Sequence, residues 1–275
     1  MTNLRIVSTN LATNATLAAS TEAGALVIEN MLLESKTQVW RSTGTTESIT
    51  ATFTSAPVSC VALPINNFTA TATLRVRVYT LSGDGSPVLD TGNVLCCQYV
   101  TMDKIDFADG PLNANAFSFG GGTYASLYFA QANAEKVVID IIDSANSNGY
   151  VEASNIIIGK YWSPERNADY GVALMFNDTS KHTRNGSGDL MTDRGAIYKS
   201  LAFNLGQMQT ADRTELIQIL IRNGMSVPLF ISIFPESTDD QENQLYQLYG
   251  KLTKLGAIGR YKFGLDKFSV NIEEI

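Results

Sequence analysis

The sequence predicts a mainly β protein built of two β-sandwich-type domains, the second with one α-helix packed on its sheet. Through the first half, short alternating or apolar runs recur between turn-forming residues, which is the pattern of a β-sandwich. Residues 196–235 read as strand, helix, strand, and they hold the clearest helical pattern of the chain. With 275 residues, 44% of them hydrophobic, the chain is long enough to bury one or two cores.

The first half is predicted to run strand after strand. The segment TLRVRVYT alternates strictly, with Leu74, Val76 and Val78 on one face and arginines on the other, as a half-buried strand does. The predicted strands are residues 38–42, 48–53, 59–63, 73–80, 136–142 and 153–161.

A domain boundary is predicted near Glu165. The strand 153–161 runs into Trp162, Ser163 and Pro164, and a proline disfavours continuation of a strand ladder. The chain is therefore divided into residues 1–164, a sandwich, and residues 165–275, a sheet with one helix.

The helix is predicted to begin at an N-cap Thr210, whose hydroxyl can accept from a free backbone N–H of the first turn. Ile217, Leu220 and Ile221 share one helical face, and Gly224 ends the helix because glycine adopts the left-handed cap conformation without steric cost. The flanking strands are residues 196–205 and 227–234. Further strands are expected at 171–176, 245–255 and 262–272, with a polar loop at 177–195 and a loop or single helical turn at 237–244.

Composition and charge exclude several classes of function. The net charge is −7 and the isoelectric point is about 4.8, so the basic footprint that nucleic acid requires is missing. No apolar stretch reaches about 18 residues, so no membrane insertion is expected, and the N-terminus lacks the pattern of a signal peptide. Charged residues make up only 17% of the chain, which suits a surface covered by neighbouring subunits, although a Thr-, Ser- and Asn-rich β protein explains much of the same figure.

Neither the cysteines nor the polar motifs of the sequence indicate a catalytic or metal site. Cys60, Cys96 and Cys97 are odd in number and include an adjacent pair, which favours reduced thiols over a disulfide framework. The single histidine, His182, has no Gly-x-Ser-x-Gly elbow to accompany it. Asp84 and Asp90 lie in turns, where a bond to their own backbone is favoured over a calcium site. We therefore expect no enzyme activity, no cofactor and no metal.

Two sets of residues are candidates for binding. Trp40, Tyr124 and Tyr128, together with Trp162, could form a sugar-stacking platform, although aromatic residues at such positions are more often the edge of a sandwich core. Asp193, Arg194, Arg213, Phe234 and Glu236 flank the strand–helix–strand unit and are predicted to contact neighbouring subunits; ordinary surface charge is the alternative for the ionic residues.

The first half resembles the galactose-binding-like, discoidin-type jelly rolls. The residues that carry the resemblance are Glu29-Asn30-Met31-Leu32, Gln38-Val39-Trp40-Arg41-Ser42, Val61-Ala62-Leu63-Pro64 and the segment 73–79. The second half resembles tail proteins of long-tailed bacteriophages. There the residues are Tyr161-Trp162-Ser163-Pro164, the loop 188–195, the segment 200–205, Asp212-Arg213, Phe234-Pro235-Glu236 and Tyr249-Gly250-Lys251-Leu252.

Together the resemblances imply a structural subunit of a virion, in the distal tail or baseplate, that connects the tail tube to the tail tip. Such a subunit would assemble with itself into a ring, expected to be hexameric, and would contact tube, hub, tip or fibre proteins after synthesis in the bacterial cytoplasm. Two alternatives stay open: a carbohydrate-binding module that recognises host-surface glycan, and a capsid decoration or head–tail connector protein.

Overall fold

A computed structural model describes residues 3–96, 123–237, 240–262 and 264–275. The strands in this part of the chain are β1 (Arg5–Val7), β2 (Thr16–Ala19), β3 (Trp40–Arg41), β4 (Thr46–Asn66), β5 (Thr73–Tyr79), β6 (Leu89–Asp90), β7 (Val94–Leu95), β8 (Thr123–Ile142), β9 (Glu152–Ala153), β10 (Ile157–Gly159), β11 (Tyr161–Trp162), β12 (Ala173–Asp178), β13 (Lys181–Arg184), β14 (Leu190–Asp193), β15 (Ile197–Met208), β16 (Leu229–Ser232), β17 (Gln247–Leu252), β18 (Gly259–Lys262) and β19 (Leu265–Glu274). The helices are α1 (Thr210–Asn223), α2 (Asp240–Leu245) and two 3-10 turns, Leu11–Asn14 and Ile28–Leu32. The predicted mainly β fold with a helix packed on a sheet is confirmed, and the sheets are antiparallel.

The first half is a β-sandwich built around two long strands. β4 and β8 pair antiparallel along most of their length, and three register shifts in this ladder let the sheet bend around a core. The strand order is β3-β9-β4-β8-β5-β6, with β2 and β10 also on β4 and β7 on β5. The strands predicted at 48–53 and 59–63 are thus two parts of one strand.

Strand β5 confirms the alternation predicted from the sequence. Leu74, Val76 and Val78 are fully buried in the sandwich core. The two arginines between them point the other way and pair with carboxylates, Arg75 with Asp90 at 2.5 Å and Arg77 with Asp140 at 2.7 Å.

The second half is one eight-stranded antiparallel sheet of order β11-β1-β16-β17-β19-β15-β12, with β18 on β19. Two of its strands lie before Glu165 in the sequence: β1 pairs with both β16 and β11. The predicted division at residues 164 and 165 therefore assigns β1 and β11 to the other half. Sequence pattern cannot show this, because two- and three-residue strands have no measurable periodicity.

Helix α1 packs on this sheet, but of the predicted residues Ile217, Leu220 and Ile221 only Leu220 packs against the second core. It buries Leu216 and Ile219 in the second core, whereas Ile221 is 81% exposed. The helix begins at Thr210 itself, after an N-cap Gln209 whose side chain makes no capping bond. The predicted stop is confirmed, since Gly224 has φ +53° and its N–H donates to the carbonyl of Leu220 at 2.9 Å.

A small mixed core joins the two halves. Val7, Tyr124, Phe230 and Tyr249 pack together in it, and the rings of Tyr124 and Phe230 stack with centroids 6.4 Å apart. The side chain of Gln244 accepts from the N–H of Tyr124 at 3.2 Å and donates to its carbonyl at 2.9 Å. Sandwich and sheet are therefore joined by specific buried contacts.

Candidate functional site

The outer edge of the second sheet is formed by β12. In the described part of the chain this strand has one sheet neighbour, β15, to which it pairs from Ala173 to Asp178. An edge strand presents a row of backbone N–H and C=O groups along its open side, and such a row can pair with another chain. β12 is also the last strand of the path, opposite the end at which β11 and β1 meet the sandwich.

A two-stranded arm continues from this edge. Strands β13 and β14 pair from Lys181 to Asp193, and all eight of their residues are exposed. The arm is tied to the sheet at its base, where the N–H of Thr179 donates to the carbonyl of Ala196 at 3.1 Å.

The tip of the arm is an ordered turn. The side-chain oxygen of Asn185 accepts from the N–H groups of Ser187 and Asp189, and Gly188 adopts φ +90°. The tight turn predicted at this glycine-rich segment is confirmed, but the loop predicted around it is wrong. Its two apolar residues, Leu190 and Met191, are adjacent and so lie on opposite faces of β14, which leaves no alternation from which the two strands could be predicted.

Large apolar side chains are exposed along the edge and the arm. Their exposed fractions lie between 46% and 57%, for Met175, Phe176, Leu190, Met191 and Ile197. Exposed apolar side chains grouped on one projecting element are typical of a protein–protein contact, whereas isolated ones are ordinary.

The five predicted interface residues divide into two groups. Asp193 and Arg194 are exposed at the base of the arm. The other three contact groups of their own chain: Arg213 pairs with Asp266 at 2.9 Å, Phe234 meets Tyr246 edge to face, and Glu236 pairs with Arg5. A subunit contact through Asp193 and Arg194 stays a prediction, while the other three have a role inside the chain that the sequence does not reveal.

The predicted sugar-stacking platform does not form. Trp40 is fully buried, and its indole N–H donates to the carbonyl of Thr21 at 3.0 Å. Tyr124 is 3% exposed and donates its hydroxyl to Glu274 at 2.6 Å. Neither ring offers a face to a sugar, so this prediction is wrong for both residues.

Tyr128 is half-buried, and its ring is in contact with other side chains of the same chain. Its ring meets that of Tyr161 edge to face at 5.6 Å, and the guanidinium of Arg5 lies 4.4 Å from its centroid. Of the aromatic residues singled out in the sequence, Trp162 is the one that is half-buried beside a cavity.

A buried ionic cluster supports the strand that carries the arm. Lys199 of β15 donates to the carbonyl of Gln247 at 3.2 Å, and its ammonium lies 4.3 Å from the centre of the Tyr124 ring. Burial lowers the pKa of Lys199 to about 8, against the opposing effect of Glu274. Burial alone would raise the pKa of Glu274, but Lys199, Lys36 and the Tyr124 hydroxyl outweigh it and lower that pKa.

The remaining polar candidates have local partners. His182 lies exposed on β13 with its Nδ1 3.0 Å from the hydroxyl of Thr192. Asp84 accepts from the N–H of Leu81 at 2.8 Å, and Asp90 is held by Arg75, which keeps the pKa of that carboxyl well below its usual range. Cys60 is a buried thiol, Cys96 is buried and its thiol donates to the carbonyl of Ala72 at 3.4 Å, and Cys97 lies outside the described residues.

No group of three or more His, Cys, Asp or Glu side chains is placed to hold a metal ion in the described part of the chain. Neither helix that the structure describes has the length and apolarity needed to cross a membrane.

No protein-family model matches the chain, and no curated protein matches it. Among solved structures, chitosan-binding module 1 from a chitosanase/glucanase of Paenibacillus sp. IK-5 is 18% identical, with 55% of this chain and 99% of that chain covered and a TM-score of 0.38. The family 32 carbohydrate-binding module of Clostridium perfringens NanJ, solved with galactose, is 14% identical over 56% of this chain and 98% of that one, with a TM-score of 0.38. A further C. perfringens module, CpGH89CBM32-5 with GalNAc-β-1,3-galactose, is 12% identical over 55% of this chain and 100% of that one, with a TM-score of 0.38. With TM-scores below 0.5, these likenesses carry no argument about what this chain binds; the sandwich follows from its own strand pairing.

Proposed function

We propose that this protein is a non-catalytic structural subunit that assembles with further copies of itself through the open edge of β12 and the arm β13–β14. The observation that carries the proposal is the combination of an edge strand with a projecting, fully exposed arm and large apolar side chains on both. Within the described residues, no strand pairs with the open side of β12 and no apolar surface covers the arm. A second copy can supply both.

The finer proposal places this subunit in the distal tail or baseplate of a long-tailed bacteriophage. It rests on the ordered resemblance of the second half to phage tail proteins, and the edge and arm agree with a ring in which each copy reaches its neighbour. In this proposal the subunit forms a hexameric ring, joins the tail tube to the tail tip, and is assembled in the bacterial cytoplasm. Cryo-electron microscopy of intact particles tests it, since a location in the head or a single copy per particle would contradict it.

The assembly is tested by sedimentation velocity and native mass spectrometry at increasing protein concentration. We expect the native chain to form a closed oligomer and the double variant Met175→Lys/Met191→Lys to be a monomer, because charges on an edge and an apolar contact oppose pairing. Val88→Lys, on an equally exposed side chain of the sandwich, is the matched control and should assemble like the native chain. A native chain that stays monomeric, or a double variant that still assembles, contradicts the proposal.

A carbohydrate-binding module is the second candidate, and the half-buried Trp162 beside a cavity is the observation that favours it. Trp40 and Tyr124 are buried and cannot stack on a sugar, so in this alternative the sugar would contact Trp162. A capsid decoration or head–tail connector protein is the remaining alternative; it would use the same edge and arm and would be separated by its location in isolated heads and tails.

A further inference from the structure

We propose that Asn185, at the tip of the arm β13–β14, is a site of intramolecular deamidation, a covalent modification that the fold of the tip itself promotes. The reaction uses groups of the tip turn alone. It therefore holds whether or not the arm contacts a second copy of the chain.

The chain contains three Asn-Gly pairs, at residues 148–149, 185–186 and 223–224. In such a pair the backbone nitrogen of glycine can attack the side-chain carbonyl carbon of asparagine, because glycine has no side chain to block the approach. The attack is favoured by a free glycine N–H and by donors that stabilise the carbonyl oxygen as it gains negative charge. The fold provides these conditions unequally to the three pairs.

The attacking nitrogen is free at the arm tip and bound in the other two pairs. Among the described residues the N–H of Gly186 makes no hydrogen bond, and Gly186 is exposed. The N–H of Gly149 donates to the carbonyl of Asn146 at 3.1 Å, and that of Gly224 donates to the carbonyl of Leu220 at 2.9 Å. Those two bonds must break before the nitrogen can attack, so they slow the reaction.

The side-chain carbonyl of Asn185 is polarised by two backbone donors. Its Oδ1 accepts from the N–H of Ser187 at 3.1 Å and from the N–H of Asp189 at 2.8 Å. Negative charge develops on this oxygen when Cγ is attacked, so the two donors stabilise the tetrahedral intermediate as an oxyanion hole does. The Oδ2 of Asp189 accepts from the Nδ2 of Asn185 at 3.0 Å, which fixes the orientation of the carboxamide.

The other two asparagines lack this arrangement. Asn223 is 1% exposed, its Nδ2 donates to the carbonyl of Ser8 at 2.6 Å, and its Oδ1 has no hydrogen-bond partner among the described residues. Asn148 is exposed, but no described residue donates to its side-chain carbonyl. We therefore expect Asn185 to react fastest, Asn148 more slowly and Asn223 most slowly.

The reaction consists of two steps, and water is its only co-reactant. First the nitrogen of Gly186 forms a bond to Cγ of Asn185 while the bond from Cγ to Nδ2 breaks. The proton of the Gly186 N–H leaves with the amide nitrogen as ammonia, and a succinimide ring remains. Water then opens the ring, returning a proton to the Gly186 nitrogen. Addition of water at Cγ gives aspartate, whereas addition at the main-chain carbonyl carbon gives isoaspartate, in which the chain continues through the former side chain.

Either product weakens the turn in which it forms. An aspartate places a second carboxylate beside that of Asp189, in place of the amide that donates to it, and the two like charges repel. An isoaspartate adds a carbon atom to the main chain and converts the carbonyl that accepts from the N–H of Gly188 into a free carboxylate. The modification thus changes both the charge and the shape of the arm tip.

The experiment is peptide mapping by mass spectrometry after incubation of the full chain at neutral pH in water enriched in oxygen-18. Peptides are prepared with pepsin at low pH in ordinary water, so that conversion during digestion carries no label. Electron-transfer fragmentation distinguishes isoaspartate from aspartate. The native chain is compared with Met175→Lys/Met191→Lys, in which the tip stays uncovered whether or not the native chain assembles.

We expect labelled aspartate and isoaspartate to form at residue 185 about tenfold faster than at residue 148, because the bond of the Gly149 N–H slows attack by about that factor. Conversion at residue 223 should be slower still. In the urea-unfolded chain the three pairs should convert at similar rates, because each glycine N–H is then free and no fixed donors remain.

Gly186→Ala, introduced into Met175→Lys/Met191→Lys, is expected to slow conversion at residue 185 about tenfold, because the methyl group hinders the approach of the nitrogen to Cγ. It should leave the turn folded, since a Cβ at this position meets no atom within 4 Å and Gly186 does not have a positive φ. Ser187→Ala keeps the backbone donor to Asn185 and is the matched control, which should convert like its parent chain.

Three results in Met175→Lys/Met191→Lys would overturn the proposal. Residue 185 could convert no faster than residue 148, the unfolded chain could show the same ranking as the folded one, or Gly186→Ala could convert as fast as its parent. Because these measurements require no contact between copies, their failure is distinct from failure of the assembly, which sedimentation measures.

Discussion

At the scale of single residues, the least expected feature is a lysine buried between the two halves. Lys199 lies in a segment whose alternation predicts a strand, and a lysine there would ordinarily be placed on the solvent face. It is instead 8% exposed, with Tyr124, Glu274 and the carbonyl of Gln247 around its ammonium. Glu274 is 75 residues away in the chain, so no local sequence pattern predicts that it lies beside Lys199.

The lowered pKa of Lys199 gives the protein a pH-dependent stability with a definite sign. Folded Lys199 loses its proton near pH 8, whereas the unfolded side chain keeps it to about 10.5. Above pH 8 the unfolded state therefore binds more protons, and the free energy of unfolding rises with pH, by up to about 1 kcal/mol per unit. Urea unfolding between pH 7 and 9 should show this rise in the native chain and its loss in Lys199→Met.

The rise in the free energy of unfolding ends near pH 9, because ionisation of a buried thiol has the opposite effect on stability. Burial raises the pKa of Cys60 far above its ordinary value of 9.0, so above about pH 9 the unfolded thiol ionises first and its effect cancels the rise that comes from Lys199. Lys254→Met, on an exposed lysine, is the control and should keep the native pH profile. An unchanged profile in Lys199→Met would show that Lys199 does not titrate in this range.

At the scale of elements, helix α1 shows why a correct helix can be given the wrong face. Its sequence LIQILI places apolar residues on most sides of the helix. Periodicity alone therefore cannot decide whether the buried face holds Ile217 and Ile221 or holds Leu216 and Ile219. The choice is made by two polar residues at the ends of the buried face. Asp212 accepts from the N–H of Glu165, and Asn223 donates to the carbonyl of Ser8.

The face assignment predicts opposite results for two neighbouring isoleucines. Ile219→Ala should lower the free energy of unfolding by about 3 kcal/mol, because Ile219 is 2% exposed and the substitution leaves a cavity against the sheet. Ile221→Ala makes the same chemical change on a side chain that is 81% exposed, and it should alter stability by less than about 0.5 kcal/mol. Urea unfolding of both variants measures the two changes, and equal losses in the free energy of unfolding would contradict the packing of α1.

At the scale of the whole molecule, the parts of the fold that the sequence predicts are those with long local patterns. Strand β5, helix α1 and the buried strand β16 are recovered within a few residues, because each carries its own periodicity or stop signal. The arm β13–β14 is missed because its apolar residues, Leu190 and Met191, are adjacent and lie on opposite faces, so the sequence shows no alternation there. The predicted division separates β1 and β11 from the sheet in which they lie, because strands of two or three residues show no pattern in the sequence.

The position of β1 makes a prediction for the molecule as a whole. β1 lies inside the second sheet between β11 and β16, and Leu4 and Ile6 belong to the second core. A fragment of residues 165–275 lacks both strands, so the edge of β16 and a buried face of the sheet become exposed. We expect this fragment to show no cooperative thermal transition by circular dichroism, even though it spans every element of the domain that the sequence predicts there.

A matched fragment tests the cause. Val7 pairs with Tyr161 and Ile6 with Trp162 in antiparallel register, so residue 8 lies opposite residue 160. A two-residue Asn-Gly turn can therefore join residues 1–8 to residues 160–275 in place of the whole sandwich. This fragment should regain a cooperative transition, at a lower midpoint than the full chain because Phe230 and Tyr249 lose the contacts they make with the sandwich. A cooperative transition in residues 165–275 alone would mean that the sheet is stable without β1 and β11. A cooperative transition in the joined fragment only would show that the sheet needs these two strands, one of which comes from the other end of the chain.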